Sequence, residues 1–424
     1  MHPIIRFYIL DFRLIDNSAG KGSKHMREGN DREKIGKIIT VVLFLAFIFG
    51  FFCYTLVKPD DLYSETENRT LAERPKLDTE SFFSGQFMED YEAYIQDQFP
   101  LRTQLVALKN YAELAMGKKE LNGIFLCKDD YLIENHKKED YETERAKKNS
   151  EAIISAGNRW TEMLGEEHTS VMVVPTSQSV LTDKLPLFAQ CYNQNEYINT
   201  IKNGLKENVF VDVSQVLKEH KDEYIYYRTD HHWTGYGAYL AYERWCQLKG
   251  LRPYAKENFN IDTVTEDFLG TIHSKININH KPDTIEIYSV KDYNTKAVYN
   301  MQNTKDTLFD ETFLKGKDKY SVFFGGNQGI VEITDDMHMT VTDSRLKENY
   351  NQDKSEDILL IIKDSYANCF APMTVGMFDR IYVVDLRYFN MKPDVFMEMY
   401  GVTDVLLLYN ADTLTDDVYI ARVK

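Results

Sequence analysis

The chain has 424 residues, of which 13% are aromatic, and its formal net charge at pH 7 is −16. The length and the aromatic content exclude a chain that is disordered throughout, because they allow one large or two ordinary packed domains. The negative charge argues against non-specific nucleic-acid binding, so no nucleic-acid partner is predicted. The five cysteines are widely spaced without a CxxC pair, so no metal site, disulfide framework or cofactor is predicted.

An uncharged stretch of twenty residues, 38–57, reads IITVVLFLAFIFGFFCYTLV and is long enough to span a bilayer as a helix. No small-residue cleavage site follows it, which favours an uncleaved anchor over a signal peptide. Basic residues predominate before the stretch and acidic residues after it. The positive-inside tendency therefore predicts a single-pass protein of the cell membrane, with residues 1–37 as a cytoplasmic tail and the C-terminal part outside the cell. Met26 is a candidate for the natural start.

Residues 58–145 are predicted to form a connector, a helical stalk and a hairpin that pack on the domain that follows. Apolar residues recur at helical spacing over 82–117, with a break near Pro100. Apolar runs on either side of a polar turn predict a β-hairpin over 123–133. The charged run 136–148 indicates a solvent-exposed helix face.

Residues 146–424 alternate between helix-like and strand-like patterns and predict an α/β domain. Continuous apolar runs are typical of strands buried on both faces of a parallel sheet, and helix-length stretches separate them. These runs are 170–175, 358–362, 380–385 and 404–409. Further strands are predicted at 210–213, 224–227 and 320–324, and the polar region 255–350 is predicted to contain loops and strands.

The motif RTDHHWTGYGAY begins at Arg228, follows the predicted strand 224–227 and precedes a helix whose N-cap lies near Thr234. It therefore lies on a strand-to-helix turn, where a rigid scaffold presents polar groups to a cleft. On an extended turn the side chains of Asp230 and His232 can point the same way. The carboxylate would then orient one imidazole nitrogen and leave the other free to act as a base.

Ser365 comes soon after the predicted strand 358–362, within the sequence Lys363-Asp364-Ser365. A serine between the carboxyl end of a parallel strand and a helix can direct its hydroxyl into a cleft, and its N–H can stabilise an oxyanion. Such a serine needs a base to remove its proton, and His232 is the candidate base. Capping of the following helix is the alternative role of Ser365.

The segments RTDHHWT at 228–234 and KDS at 363–365 resemble the signature of the DHHW proteins of bacteria, relatives of the periplasmic alginate O-acetyltransferases. Further similar segments occur in the expected order over about 65–424, nearly the whole chain beyond the predicted anchor. They are ENRTLAERP at 67–75, FPLR at 99–102, GIFLCKDDYLIE at 123–134, VPT at 174–176, LP at 185–186 and GGN at 325–327.

The resemblance implies an SGNH-hydrolase-like, flavodoxin-like fold with a three-layer parallel sheet, in which Asp230, His232 and Ser365 form a catalytic triad. It also implies oxyanion or substrate-binding groups near the triad, since SGNH enzymes use a backbone glycine and an asparagine side chain as oxyanion donors. The candidates are Gly325, Gly326, Asn327, Gln178, Tyr366, Trp233, His231 and Arg387. Packing is the alternative for Trp233, a structural hydrogen bond for His231, and turn geometry for the two glycines.

The function implied by the resemblance is extracytoplasmic O-acetyl transfer to a cell-surface or secreted polysaccharide, or hydrolysis of its acetyl esters, through an acyl-serine intermediate. A membrane-bound O-acyltransferase is the expected partner that supplies the acetyl group. Two alternatives stay open at this stage. One is a non-catalytic protein that binds a cell-wall polysaccharide, and the other is a metal-dependent phosphoesterase of the DHH type, in which Asp-His-His also occurs.

Overall fold

The computed structural model describes residues 23–64, 69–335 and 356–424. Residues 1–22 of the predicted cytoplasmic tail, residues 67–68 of the ENRTLAERP segment and residues 336–350 of the predicted loop region lie outside the described residues. The chain forms two compact units, one of residues 1–61 and 72–100 and one of residues 62–71 and 101–424. The predicted boundary at residues 145 and 146 stays a prediction.

The first unit is helical. Its helices are α1 (Ser23–Val57), α2 (Thr79–Ser84) and α3 (Gln86–Asp97). Within α1, Lys34–Thr55 is long and apolar enough to cross a membrane, and it is the only such helix in the described part of the chain. Asp78 caps α2 by accepting a hydrogen bond from the N–H of Ser81, at 2.9 Å. Helix α3 ends three residues before Pro100, where the sequence predicts a break.

The second unit is built on a seven-stranded sheet with the strand order β10-β9-β11-β13-β12-β14-β6. The strands are β6 (Thr169–Val174), β9 (Thr295–Tyr299), β10 (Asn303–Lys305), β11 (Ile330–Asp335), β12 (Ile358–Lys363), β13 (Arg380–Val384) and β14 (Asp404–Asn410). The four apolar runs form β6, β12, β13 and β14, which are mutually parallel. Every residue of β6 and β12 is buried, as the unbroken apolar sequences predict.

The expectation of a wholly parallel sheet is wrong for one side of the sheet. Strands β9, β10 and β11 are antiparallel to their neighbours. Between β9 and β10 the chain reverses in a tight turn in which Asn300 and Met301 have φ values of 50° and 57°. Such a short turn can join only antiparallel strands. The sheet is therefore mixed.

The sheet is the middle of three layers. In β12, Leu359 and Ile361 belong to one buried apolar cluster, and Leu360 and Ile362 belong to another. This alternation follows from the two-residue period of a strand. Helix α10 (Gly235–Lys249) packs into the first cluster and helix α6 (Glu144–Leu164) into the second. The remaining helices of this unit are α4 (Arg102–Ala115), α5 (Lys138–Tyr141), α7 (Ser177–Val180), α8 (Gln194–Gly204), α9 (Ser214–Glu219), α11 (Thr271–Ile276), α12 (Ala367–Phe370), α13 (Pro393–Tyr400) and α14 (Ala411–Asp416).

Smaller strands complete this unit. They are β1 (Tyr63–Ser64), β2 (Arg69–Thr70), the sheet of β3 (Glu120–Leu121), β4 (Ile124–Leu126) and β5 (Leu132–Glu134), and the ribbon of β7 (Phe259–Phe268) and β8 (Asp283–Val290). The hairpin of β4 and β5 is the one that the sequence predicts. Helix α11 lies between the two ribbon strands in the sequence.

Three further strand predictions are wrong. Residues 210–213 contribute only a single bridge to the sheet, through Phe210. Residues 224–227 bond instead to the turn that follows them, since the N–H of Tyr227 donates to His232 and that of Thr234 donates to Ile225. Residues 319–322 form a 3₁₀ turn, because the chain then reverses through residues with positive φ at 324–326.

Candidate active site

Asp230 and His232 lie together on the turn that follows residue 227. Asp230 is buried, and its Oδ1 lies 2.5 Å from Nδ1 of His232 and accepts a hydrogen bond of 3.1 Å from the His232 backbone N–H. The turn is closed by the 3.2 Å bond from Tyr227 N–H to the His232 carbonyl. The spacing of two residues therefore places carboxylate and imidazole in contact, as the extended turn predicts.

The second oxygen of the Asp230 carboxylate is held by the start of α11. Oδ2 accepts hydrogen bonds from the N–H and the hydroxyl of Thr271, at 2.8 and 2.9 Å. Burial alone would raise the pKa of Asp230, but the adjacent imidazoles of His231 and His232 and these hydrogen bonds hold the pKa well below its usual value. The carboxylate is thus ionised and fixed in orientation.

Ser365 lies beyond the carboxyl end of β12, and its Oγ is 2.7 Å from Nε2 of His232. The preceding Asp364 shapes this turn, since its carboxylate accepts hydrogen bonds from Tyr366 N–H (2.9 Å) and from the N–H and side-chain amide of Asn410 (2.7 and 2.6 Å). Among the described residues, none accepts a hydrogen bond from the N–H of Ser365. Asp230, His232 and Ser365 form a continuous hydrogen-bonded set, called the relay below.

Aromatic side chains brace the relay. The Tyr320 ring stacks on the His232 ring, with centroids 3.9 Å apart and planes 14° apart, and its hydroxyl donates to the Ser365 carbonyl at 3.0 Å. Trp233 is fully buried, and its indole N–H donates to the Tyr366 carbonyl at 2.8 Å. Tyr366 is buried and donates its hydroxyl hydrogen bond to the His231 carbonyl. Trp233 therefore packs in the core and positions the Tyr366 carbonyl, and no face of its ring is open to a ligand.

His231 lies beside the relay base but bonds to a different group. Its Nδ1 lies 2.8 Å from the hydroxyl of Thr271, and its side chain is 37% exposed. Its ring centroid is 3.9 Å from that of His232. Partial burial of the ring and the charge of His232 lower the pKa of His231 to about 4, so the imidazole is neutral at pH 7.

A cleft of about 330 Å³ opens beside the relay. His231, Thr271 and Tyr366 line it, and it contains two ion pairs that the sequence does not reveal. The residues of these pairs are Glu134 with Lys275 and His136 with Asp412. The carboxylate of Asp412 raises the pKa of His136 against the effect of burial. His136 begins the charged run predicted to be a solvent-exposed helix face, but it precedes α5 and lines this cleft instead.

Three of the remaining candidates are bonded to other groups of the protein. Gln178 is buried, and its amide bonds to the N–H and the carbonyl of His136 at 2.7 and 3.0 Å. Arg387 forms a bidentate pair with Asp385, at 2.9 and 2.6 Å, and donates to Asn327 at 3.1 Å. Gln178 thus supports one wall of the cleft through the backbone, and Arg387 and Asn327 are bonded to each other.

The glycine turn at 325–326 has a structural explanation. Gly325 and Gly326 have φ values of 64° and 89°, a region that favours glycine. The N–H of Gly326 donates to the carbonyls of Ser321 and Phe323, at 3.0 and 3.3 Å. The turn geometry therefore accounts for Gly326 without an oxyanion role, and no hydrogen bond joins 325–327 to the relay in the part of the chain that the structure describes.

The metal alternative meets a geometric obstacle. Asp230, His231 and His232 each offer a ligand atom, and these atoms lie within 4.8 Å of one another. However, both ring nitrogens of His232 and one of His231 are bonded within the site, to Asp230, Ser365 and Thr271. A metal ion at this position would have to replace hydrogen bonds that are already complete.

Thr271, Tyr320 and the ion pairs of the cleft have no signal in the sequence that singles them out. Thr271 belongs to an ordinary helix start, and Tyr320 lies in a segment predicted to be a strand. Their role follows only from where the tertiary fold places them. The chemically distinctive motifs of the sequence therefore indicate the relay but not the groups that hold it.

Fold and site together define a class of protein, a mixed α/β protein with a serine, a histidine and an aspartate linked beyond the carboxyl end of a sheet strand. The sequence profile of the DHHW protein family matches residues 129–384. The chain therefore belongs to the DHHW family.

Two solved structures with TM-scores above 0.5 show the same fold. A DHHW family protein from Eubacterium siraeum is 26% identical, with a TM-score of 0.56 over 72% of this chain and 95% of that chain. PatB1 from Bacillus cereus, with a sulfonyl adduct, is 20% identical, with a TM-score of 0.54 over 71% and 98%. The O-acetyltransferase domain of AlgJ from Pseudomonas putida is 14% identical, with a TM-score of 0.38 over 71% and 98%. No curated protein matches the chain.

Proposed function

We propose that this protein is a membrane-anchored, extracytoplasmic serine O-acetyltransferase or acetylesterase that acts on a polysaccharide, with an SGNH-like catalytic domain. The observation that carries the proposal is the relay, with its contacts of 2.5 Å from Asp230 to His232 and 2.7 Å from His232 to Ser365. The 2.7 Å contact lies in the range that a nucleophile and its base require, and the 2.5 Å contact joins that base to the carboxylate that orients it.

The chemistry follows from the donors and acceptors. Ser365 Oγ attacks the carbonyl carbon of an acetyl group while its proton passes to Nε2 of His232. Asp230 accepts from Nδ1–H throughout, so it fixes the tautomer and stabilises the imidazolium that forms. The proton then goes to the leaving group, and acetyl-Ser365 remains. A sugar hydroxyl or water next attacks this ester, which distinguishes a transferase from an esterase.

The N–H of Ser365 is the candidate oxyanion donor. It has no protein acceptor among the described residues, and it belongs to the nucleophile itself, so it lies close to where the negative charge develops. Helix α12 spans only Ala367–Phe370, and a helix of one turn adds little dipole to this site. In this proposal the backbone N–H of Ser365 stabilises the oxyanion, and the dipole of the predicted helix contributes little.

The apolar helix Lys34–Thr55 supports the proposed location, and that location bears on the source of the acetyl group. A signal anchor or a single-pass helix accounts for Lys34–Thr55, and the resemblance to the alginate enzymes supports an extracytoplasmic catalytic unit with the N-terminus in the cytoplasm. Cytosolic thioesters are absent outside the cell. A membrane-bound O-acyltransferase that hands acetyl groups across the membrane is therefore the proposed donor.

The test uses the full-length chain in detergent with 4-nitrophenyl acetate. Ser365→Ala and His232→Ala are expected to lower kcat/KM at least about 10³-fold, because nucleophile and base act as one unit. Ser155→Ala, an exposed serine of α6, and His220→Ala, outside the site, are the matched controls. Phenylmethanesulfonyl fluoride should label wild type at Ser365, as seen by peptide mass spectrometry. Equal turnover in all variants, with no label, would rule out the serine mechanism.

A further inference from the structure

We infer that the cleft beside the relay holds the acetyl acceptor, an uncharged polyhydroxyl sugar, and that Nε2 of His231 accepts a hydrogen bond from one of its hydroxyls. This inference rests on the proposed function. It assigns the acceptor side of the reaction and a role for the first histidine of the DHHW motif.

The tautomer of His231 follows from the hydrogen bonds of Thr271. The Thr271 hydroxyl has one proton, and the carboxylate of Asp230 at 2.9 Å can only accept it. The hydroxyl oxygen must therefore accept from Nδ1–H of His231, at 2.8 Å. Nδ1 carries the single proton of the neutral ring, so Nε2 has a free lone pair. The lowered pKa of His231 keeps this form at neutral pH.

Nε2 of His231 has no hydrogen-bond partner within the described ranges, although the ring lines the cleft. The ring lies directly against the base, with 3.9 Å between the centroids of His231 and His232. A ligand hydroxyl that donates to Nε2 would therefore be close to the hydroxyl whose proton His232 removes. Sugars carry hydroxyls on adjacent carbons. This spacing matches two hydrogen-bond acceptors that lie side by side, one on His231 and one on His232.

A second side chain of the cleft also lacks a protein partner. Ser177 is 6% exposed and lines the cleft, and its hydroxyl has no hydrogen bond to any described residue. The Ser177 oxygen is not one of the fully buried side-chain atoms that lack a partner, so water or a ligand in the cleft can reach it. Thr176, by contrast, has its hydroxyl bonded to the Gln194 amide at 2.8 Å. The cleft thus offers one unused acceptor at His231 and one unused hydroxyl at Ser177.

The charges of the cleft are already paired. Glu134 is bonded to Lys275, and Asp412 lies 2.9 Å from His136 and also accepts from Gln194 at 2.8 Å. A uronate or phosphate group would have to approach these two carboxylates, whereas neutral hydroxyls can bond to either member of each pair. The pairing of these charges therefore favours an uncharged sugar as the acetyl acceptor.

The reaction step balances with the relay alone. The acceptor oxygen bonds to the carbonyl carbon of acetyl-Ser365 as its proton passes to Nε2 of His232. The bond from that carbon to Ser365 Oγ then breaks, and the proton moves to Oγ. The products are the acetylated sugar and free Ser365, and His231 gains and loses no proton. His231 is a positioning residue that raises the fraction of acetyl-enzyme captured by sugar rather than by water.

The experiment measures how acetyl-Ser365 divides between two routes in the full-length chain in detergent. 4-Nitrophenyl acetate is the donor, with cellopentaose and chitopentaose as neutral acceptors and trigalacturonic acid as a charged one. Mass spectrometry of the sugars gives transfer, and free acetate gives hydrolysis. The ratio of the two rates does not depend on how fast the acetyl-enzyme forms, so it separates acceptor binding from damage to the relay.

Wild type is expected to transfer acetyl groups to a neutral sugar. His231→Ala is expected to lower the ratio of transfer to hydrolysis by about tenfold, which is the effect of losing one hydrogen bond. His231→Gln keeps an acceptor at the Nε2 position and should stay within about threefold of wild type. His220→Ala is the matched control. If His231→Ala lowers both routes equally, if wild type prefers trigalacturonic acid, or if it transfers to no sugar, the inference is wrong. The proposed function fails separately, if Ser365→Ala keeps its turnover.

Discussion

Gly270 packs so closely against Asp230 that a single methyl group there should disable the relay. A Cβ added to Gly270 would lie 2.3 Å from the Asp230 Cβ and 2.4 Å from its Oδ2, whereas ordinary contact begins at 3.4 Å. Gly270 has a φ of −82°, which alanine adopts freely, so the effect of Gly270→Ala comes from the methyl group alone. The residue cannot retreat, because its N–H donates to the Thr229 hydroxyl at 3.0 Å and its carbonyl accepts from Ser274.

The size of the effect follows from this overlap. Asp230 must move by about 1 Å, and its 2.5 Å contact with His232 is then lost. A displacement of about 1 Å costs on the order of 10²-fold in rate, and complete loss of the orienting carboxylate costs about 10⁴-fold in a serine protease. We therefore expect kcat/KM of Gly270→Ala to fall between about 10²-fold and 10⁴-fold.

The assay is hydrolysis of 4-nitrophenyl acetate by the full-length chain, with circular dichroism to confirm that the variant folds. Gly316→Ala is the matched control, because its Cβ would meet nothing closer than 3.6 Å and its φ of −93° suits alanine. A folded Gly270→Ala protein with wild-type kcat/KM would refute the reasoning. So would an equal loss in Gly316→Ala.

Three further predictions concern the surroundings of the relay. Tyr320→Phe keeps the ring on His232 but loses the hydrogen bond to the Ser365 carbonyl. Thermal denaturation should therefore show a loss of stability of about 1 kcal/mol, and kcat/KM should change by less than about tenfold. A fall in kcat/KM as large as that of His232→Ala would contradict this. Burial raises the pKa of Asp364 from 3.8 to about 6. In urea titrations, the free energy of unfolding of wild type relative to Asp364→Asn should therefore be greatest below pH 3.8 and fall by up to about 3 kcal/mol as pH rises through 6. A difference between the two proteins that does not change with pH would exclude the shift. The pKa of His231 is lowered from 6.5 to about 4, so stability is present above pH 6.5 and is lost as pH falls towards 4, and His231→Gln should be less acid-sensitive in the same titrations.

The local sequence pattern was sufficient to predict the strands that carry the site. It was also sufficient to predict one of the two contacts of the relay. The apolar runs of β6, β12, β13 and β14 are unbroken, so their burial on both faces could be predicted. The contact between Asp230 and His232 depends only on a two-residue spacing on an extended turn. The link to Ser365 joins positions 133 residues apart; the local patterns made His232 and Ser365 candidates as base and nucleophile, and the resemblance to a family supported their pairing.

Predictions failed where tertiary contacts override local preference. Residues 224–227 have the sequence of a strand, yet they bond to their own following turn. Residues 320–324 also have a strand-like sequence, but the reversal at Phe324, Gly325 and Gly326 makes a 3₁₀ turn that brings Tyr320 onto His232. Thr271 and the paired charges of the cleft come from segments that are distant in sequence, and no periodicity reveals their convergence.

The two turns of the relay hold each other in place through reciprocal bonds. Trp233 donates from the histidine turn to the carbonyl of Tyr366, and Tyr366 donates from the serine turn to the carbonyl of His231. Both donors are fully buried, so water cannot replace either bond without opening the core. The contact between His232 and Ser365 is therefore fixed by backbone carbonyls on either side of it, and not only by its own hydrogen bond. This cross-bracing gives the fully buried Trp233, directly after His232 in the sequence, a structural role beside the relay.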